Sequence, residues 1–143
     1  MARPSPFYET ARQLYLAGME EAELLRRRAL DMMSAAERHL EEGLLDLSAF
    51  LAEQAAQLFL KSVILVKVGE IPRTHSLREL FSVLRRVADP ERVDGFVRRF
   101  RVGLSRLEAA YLESRYLPRS YAREEVEELV EVAREVIRFA EGL

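Results

Sequence analysis

Apolar residues recur at three- and four-residue intervals in every long segment of this chain, and no segment alternates apolar with polar in the manner of a strand. That period belongs to helices, so the pattern predicts an all-α protein. A first helical region covers about 6–42, its stripe opening on Phe7, Ala11, Leu14, Gly18, Ala22 and Leu25. Gly18 is a candidate break into a short leading helix and a longer one, and Gly43 a C-terminal stop. A second helix covers about 46–68, ended by Gly69 and by Pro72 three residues on. A third begins near Ser76, where Ser76 and Glu79 match a capping box, and ends at the Asp89-Pro90 break. The stripe Val93, Phe96, Phe100, Leu104, Leu107 and Tyr111 predicts one helix over 90–114. A turn at 115–119, broken by Pro118, leads to a last helix over 120–141 that opens on Glu124 and Glu125.

The second helix is the unusual one. From Phe50 onward it has hardly a continuous polar face, so it must lie inside a bundle. Ala49, Ala52 and Ala56 form a small-residue stripe on which another helix can approach closely. Glu53, Gln57 and Lys61 recur every four residues along one narrow line, and polar groups in such a place need partners. Short connections and 143 residues therefore give a single-domain, up-and-down helical bundle of about five helices covering 1–143.

Composition narrows the chemistry. With no Cys, disulfides and thiolate metal sites are excluded, and His39 and His75, 36 positions apart, make a zinc site unexpected. No cofactor is implied, for there is no Gly-rich phosphate loop, Ser-His-Asp arrangement or carboxylate-rich metal motif. Residues 1–17 lack a secretory apolar core, and the most apolar stretch, 58–68, is shorter than a bilayer span and carries Lys61 and Lys67. The expectation is a soluble, cytoplasmic protein without a membrane partner. The basic residues are 20 Arg and 2 Lys, there is no Asn, and Gln occurs three times. Such a balance fits a thermophile, or equally the base composition of its gene.

Net charge is −2, but it is unevenly spread. Residues 1–70 carry 8 basic and 11 acidic groups, 71–120 carry 11 and 6, and 121–143 carry 3 and 7. A phosphate-bearing partner would choose the basic middle third, unless the acidic last helix neutralises it.

The order of AAERHLEEG, then FLAEQAAQLFLKSVILVKVGEIPRTHSLREL, then AYLESRY before a last helix resembles the HEPN domain family. The resemblance covers about 20–141, leaving 1–19 as an N-terminal extension or leading helix. Its most specific parts are Gln54-Ala55-Ala56 with Lys61, the turn Pro72-x-Thr74-His75-x-Leu77, and Tyr111 with Arg115-Tyr116. It implies a helical bundle, usually homodimeric, associated with nucleotide or RNA partners, often beside a small nucleotidyltransferase and in several cases within a toxin–antitoxin pair. Many members are metal-independent ribonucleases using Arg-x(4–6)-His. Here neither His39 nor His75 has an Arg five to seven residues before it, so no catalytic residue is carried over.

The residues best suited to bind a nucleotide or RNA phosphate are Arg115, Tyr116 and Arg119, as guanidinium clamp and stacking face. Arg73, His75 and Lys61 are secondary candidates, His75 because it precedes a helix N-terminus where anions are favoured. Three readings follow. The first is a non-catalytic dimeric module that binds a nucleotide, RNA or a nucleotidyltransferase. The second is a ribonuclease with a non-standard Arg/His set built on His75, and the third a protein-binding adaptor.

Overall fold

A computed structural model describes residues 5–116 and 120–143, with side chains described outside 114–116. Six helices carry the described residues: α1 (Pro6–Glu41), α2 (Leu45–Val68), α3 (Leu77–Val87), α4 (Pro90–Arg99), α5 (Arg101–Tyr116) and α6 (Arg123–Glu141). They form an all-α, up-and-down bundle, and no strand occurs among the described residues. α2 lies at its centre and packs on α1, α3, α5 and α6. By length and composition α2 could cross a membrane (24 residues, hydropathy 1.4), but 61% of its most apolar window is buried inside the bundle. This agrees with the sequence, in which the helix from Phe50 onward lacks a continuous polar face, and companion helices cover that surface.

Alanines set how closely the companions approach. Ala29 and Ala36 of α1 and Ala49, Ala52 and Ala56 of α2 are completely buried. In this contact the Ser48 hydroxyl donates to the Ala36 carbonyl over 2.7 Å, giving that buried oxygen atom its partner. On the other sides Phe59, Leu60 and Ile64 meet Leu107 of α5 and Val126, Val130 and Val136 of α6 in one continuous core. Gly43 (φ 79) and Gly69 (φ 86) end α1 and α2 in the left-handed region, where a side chain would be strained.

Three boundaries differ from the sequence expectation. α1 runs unbroken through Gly18, because a single helical glycine costs only about 1 kcal/mol and 36 residues of ladder surround it. The expected helix over 90–114 bends at Phe100 (φ −108, ψ 20), which makes six helices rather than five. The hydrogen bonds Phe100 N–H to Phe96 O and Leu104 N–H to Phe100 O persist at 3.0 and 2.8 Å, so the bend costs little backbone bonding. Around the bend, Phe96 stacks within 5.6 Å of Phe81, 4.7 Å of Phe100 and 4.4 Å of Phe139. Third, α5 continues through Tyr116, so Arg115 and Tyr116 belong to its last turn and not to an open loop.

Where α5 meets α6, a Cβ on Gly103 would lie 2.6 Å from a methyl group of Val132. A helical Val has one strongly preferred rotamer and cannot swing aside freely. Gly103→Ala is therefore expected to lower stability by about 1–2 kcal/mol despite better helix propensity. Urea unfolding of the two proteins checks this, and an alanine variant as stable as the parent would show that α5 and α6 separate at no cost.

Candidate functional site

The polar line of α2 is buried as its spacing requires, with Glu53 0% and Gln57 3% exposed. Gln57 Nε2 donates to both Glu53 oxygens, at 3.2 and 2.9 Å, and Gln54 Nε2 donates to Oε1 at 2.8 Å. This arrangement fixes the orientation of the Gln57 amide. Its oxygen then faces the other way, accepting from Lys61 Nζ at 3.1 Å and lying 3.0 Å from His75 Nδ1. A carbonyl oxygen can only accept, so Nδ1 carries the proton and Nε2 is the basic nitrogen of the neutral ring. The imidazole also stacks on Tyr111 of α5, centroids 4.9 Å apart at 17°. In this way the turn between α2 and α3 is fastened to the central helix.

Burial pushes the Glu53 carboxyl up to about 7, against the amide donors that favour its charged form; Glu108 adds repulsion and Lys61 offsets part of it. Burial likewise lowers Lys61, and Glu53 opposes that shift. The site is thus a nearly balanced polar pocket rather than a concentration of positive charge.

At the entry to α3, the Ser76 hydroxyl accepts from Glu79 N–H at 3.3 Å and donates to Glu108 Oε1 at 2.6 Å. The same Glu108 oxygen accepts from the Arg78 N–H at 3.2 Å. The anion-binding end of α3, assigned from sequence to a phosphate beside His75, is therefore occupied by a carboxylate from α5. That contact joins residues 32 positions apart and leaves no local trace in the sequence.

A cluster of arginines lies farther along α3. A cleft of about 760 Å³ between α3, α4 and the start of α5 is lined by Arg78, Arg85, Arg98 and Arg101, with Glu91, Asp94 and Ser82, over Phe81, Val93 and Val97. A second hollow of about 330 Å³ shares Arg78, Phe81, Val97 and Arg101 and reaches Glu108. Arg85 is held by Asp94 at 2.8 and 3.0 Å. Arg78, Arg98 and Arg101 form no ion pair among the described residues; Arg27 and Arg28 of α1 are likewise unpaired there, but these three share one cleft. The carboxylates of α6 engage its own Arg134 and Arg138 and Arg26 of α1. Among the described residues, only the ion pair Arg106–Glu128, at 3.2 Å, joins α6 to the basic third. Intramolecular neutralisation is thus partial, and Arg78, Arg98 and Arg101 were not singled out from the sequence. The signal that could have found them was the +5 balance of 71–120.

Of the candidates read from sequence, the structure brings Lys61 and His75 together on Gln57 and leaves Arg73 exposed on the same turn. Arg115 and Tyr116 are placed by backbone alone, one turn beyond Tyr111, and Arg119 lies outside the described residues. No grouping of three or more His, Asp or Glu suited to a metal occurs among the described residues.

The model of the HEPN domain matches residues 22–143. The chain belongs to the HEPN domain family. A solved structure similar to it is that of TT1696 from Thermus thermophilus, 23% identical, with a TM-score of 0.65 over 85% of this chain and 96% of that one. At that identity the likeness concerns the HEPN fold alone. No curated protein matches the chain. The family match starts at Ala22, the first buried residue of α1, and leaves the first turns of that helix outside it.

Because Glu53 is held above its unfolded value, the folded protein binds the extra proton between about pH 4.5 and 7. Stability contributed by this site is then fully present below about 4.5 and is lost as pH rises through about 7. The parent is expected to lose about 3 kcal/mol from this group between those limits, and Glu53→Gln to flatten that part of the slope. Denaturant midpoints at pH 5 and 8 test it, and parallel pH slopes for the two proteins would refute it.

Proposed function

We propose that this HEPN protein is a non-catalytic, homodimeric binding module for RNA or a nucleotide, with the phosphates lying along the groove between α3 and the α4–α5 bend. One observation carries the reading: Arg78, Arg98 and Arg101, none of them in an ion pair among the described residues, converge on one cleft with an apolar floor, beside Glu91 and the Arg85–Asp94 pair. Guanidinium forks match phosphate oxygens, and the apolar floor of Phe81 and Val97 suits a base or ribose edge. Arg115, Tyr116 and Arg119 are kept as a second phosphate-binding candidate, with Arg73 and His75 as secondary ones. Lys61 supports the site through Gln57, not through contact with phosphate. The resemblance to toxin–antitoxin members adds a small nucleotidyltransferase as the protein partner in the cytoplasm.

Arg98→Ala combined with Arg101→Ala is expected to weaken binding of a fluorescent single-stranded RNA by about tenfold at low salt. The slope of log affinity against log salt should fall by about 0.7 for each phosphate contact removed. Binding titrations at several salt concentrations decide it, with Arg115→Ala plus Arg119→Ala as the parallel variant. Unchanged affinity and slope in the first pair would remove the groove. Loss in the second pair alone would move the site to the end of α5.

A ribonuclease reading has one observation in its favour, the His75 ring held with Nε2 as the basic nitrogen. Metal-free incubation with structured RNA tests it. Cleavage lost in His75→Ala would establish catalysis there, and inert protein supports the binding module.

A further inference from the structure

The first four turns of α1 stand apart from the rest of the molecule. Burial in α1 begins at Ala22, yet the helix starts at Pro6 and lies outside the family match until the same residue. The segment between is rich in apolar side chains facing solvent: Phe7 is 84%, Tyr8 60%, Leu14 70% and Tyr15 66% exposed. Such a segment gains stability from packing, and none of the described residues covers it.

Phe7, Ala11, Leu14 and Gly18 follow four-, three- and four-residue spacing, which is the a/d seam of two paired helices. Along that seam bulk alternates with its absence. A Cβ on Gly18 would meet nothing within 4 Å, so the glycine is not required by any neighbour in its own chain. When two such seams run antiparallel, a positions face d positions across the two-fold axis. Phe7 of one chain then lies opposite Gly18 of the other, and Leu14 opposite Ala11. Both layers pair a large residue with a small one, which is how facing helices interdigitate. Tyr8 and Tyr15 fall on one flank of the seam, where the two-fold brings them against the same residues of the second copy, while Thr10 and Ala17 leave the opposite flank slim.

We infer that a second copy of this chain docks on the N-terminal arm, the two α1 arms pairing antiparallel with Phe7 seated against Gly18 and Leu14 against Ala11. The seam spans about 16 Å of helix. Burying the exposed part of three aromatics and a leucine from each copy amounts to on the order of 1,000 Å², the lower end of specific interfaces, which fits a reversible dimer. The inference rests on the homodimeric part of the proposed function and is independent of the RNA groove, which lies on α3, α4 and α5.

Sedimentation velocity of the full chain over a range of concentrations tests it. The parent is expected to dimerise, and Gly18→Leu to raise the dimer dissociation constant at least tenfold by setting Leu against Phe7. Leucine is a better helix former than glycine and a Cβ at this position meets nothing within 4 Å, so circular dichroism should show an intact fold. The double variant Gly18→Leu with Phe7→Ala restores a large-against-small layer and is expected to recover most of the dimer. A parent that stays monomeric overturns the inference together with the dimeric reading. A parent dimer unaffected by Gly18→Leu, or a double variant no better than the single one, overturns the arm pairing while leaving a dimer through another face. Labelled-RNA binding by the monomeric variant, measured in parallel, keeps failure of the groove distinct from failure of the arm.

Discussion

A helix apolar on nearly every side can persist in water only if other helices surround it, and α2 carries a carboxylate in the middle of that surface. Glu53 therefore governs more of this molecule than its size suggests. Its oxygens must be hydrogen-bonded, and Gln54 and Gln57 are the donors that reach them. Once the Gln57 amide points inward, its oxygen has one direction left, toward Lys61 and the turn ahead of α3. The position of His75, and with it the stacking on Tyr111, follows from satisfying a single buried acid.

Charge is organised by the same need for partners. α6 is acidic along its length, and its Glu128, Glu131, Glu135 and Glu141 pair with Arg106, with Arg134 and Arg138 of the same helix and with Arg26 of α1. Of the arginines without an ion pair among the described residues, Arg78, Arg98 and Arg101 share a cleft between α3 and the bend between α4 and α5. Exposed ion pairs contribute little to stability, so neutralising those arginines would add little to the fold. The polar pocket at His75, by contrast, already holds two carboxylates, an amine and an imidazole, and its groups are directed at one another.

The helices were legible because burial imposes a period on sequence. Gly69, Pro72, Ser76 and Asp89 marked boundaries through backbone chemistry that acts within a few residues. The bend at Phe100 was not legible, since the apolar stripe continues across it and the aromatic cluster that favours it draws on Phe81 and Phe139, remote in sequence. Gly18 reads as a break only when its propensity is weighed without the 36-residue helix around it. At the candidate site, the four-residue spacing of Glu53, Gln57 and Lys61 exposed the polar line at once. The direction of the Gln57 amide and the occupation of the α3 end by Glu108 depend on contacts between distant segments, and no local pattern encodes them.

The shared oxygen of Glu108 has a mechanical meaning. Because the Ser76 hydroxyl and the Arg78 amide both lean on it, the first turn of α3 is held by a neighbouring helix as well as by its own chain. Prising α3 away from α5 would loosen that turn in the same motion. The arginine-bearing wall would then yield from its His75 end inward, like a hinged panel whose latch sits on the opposite frame.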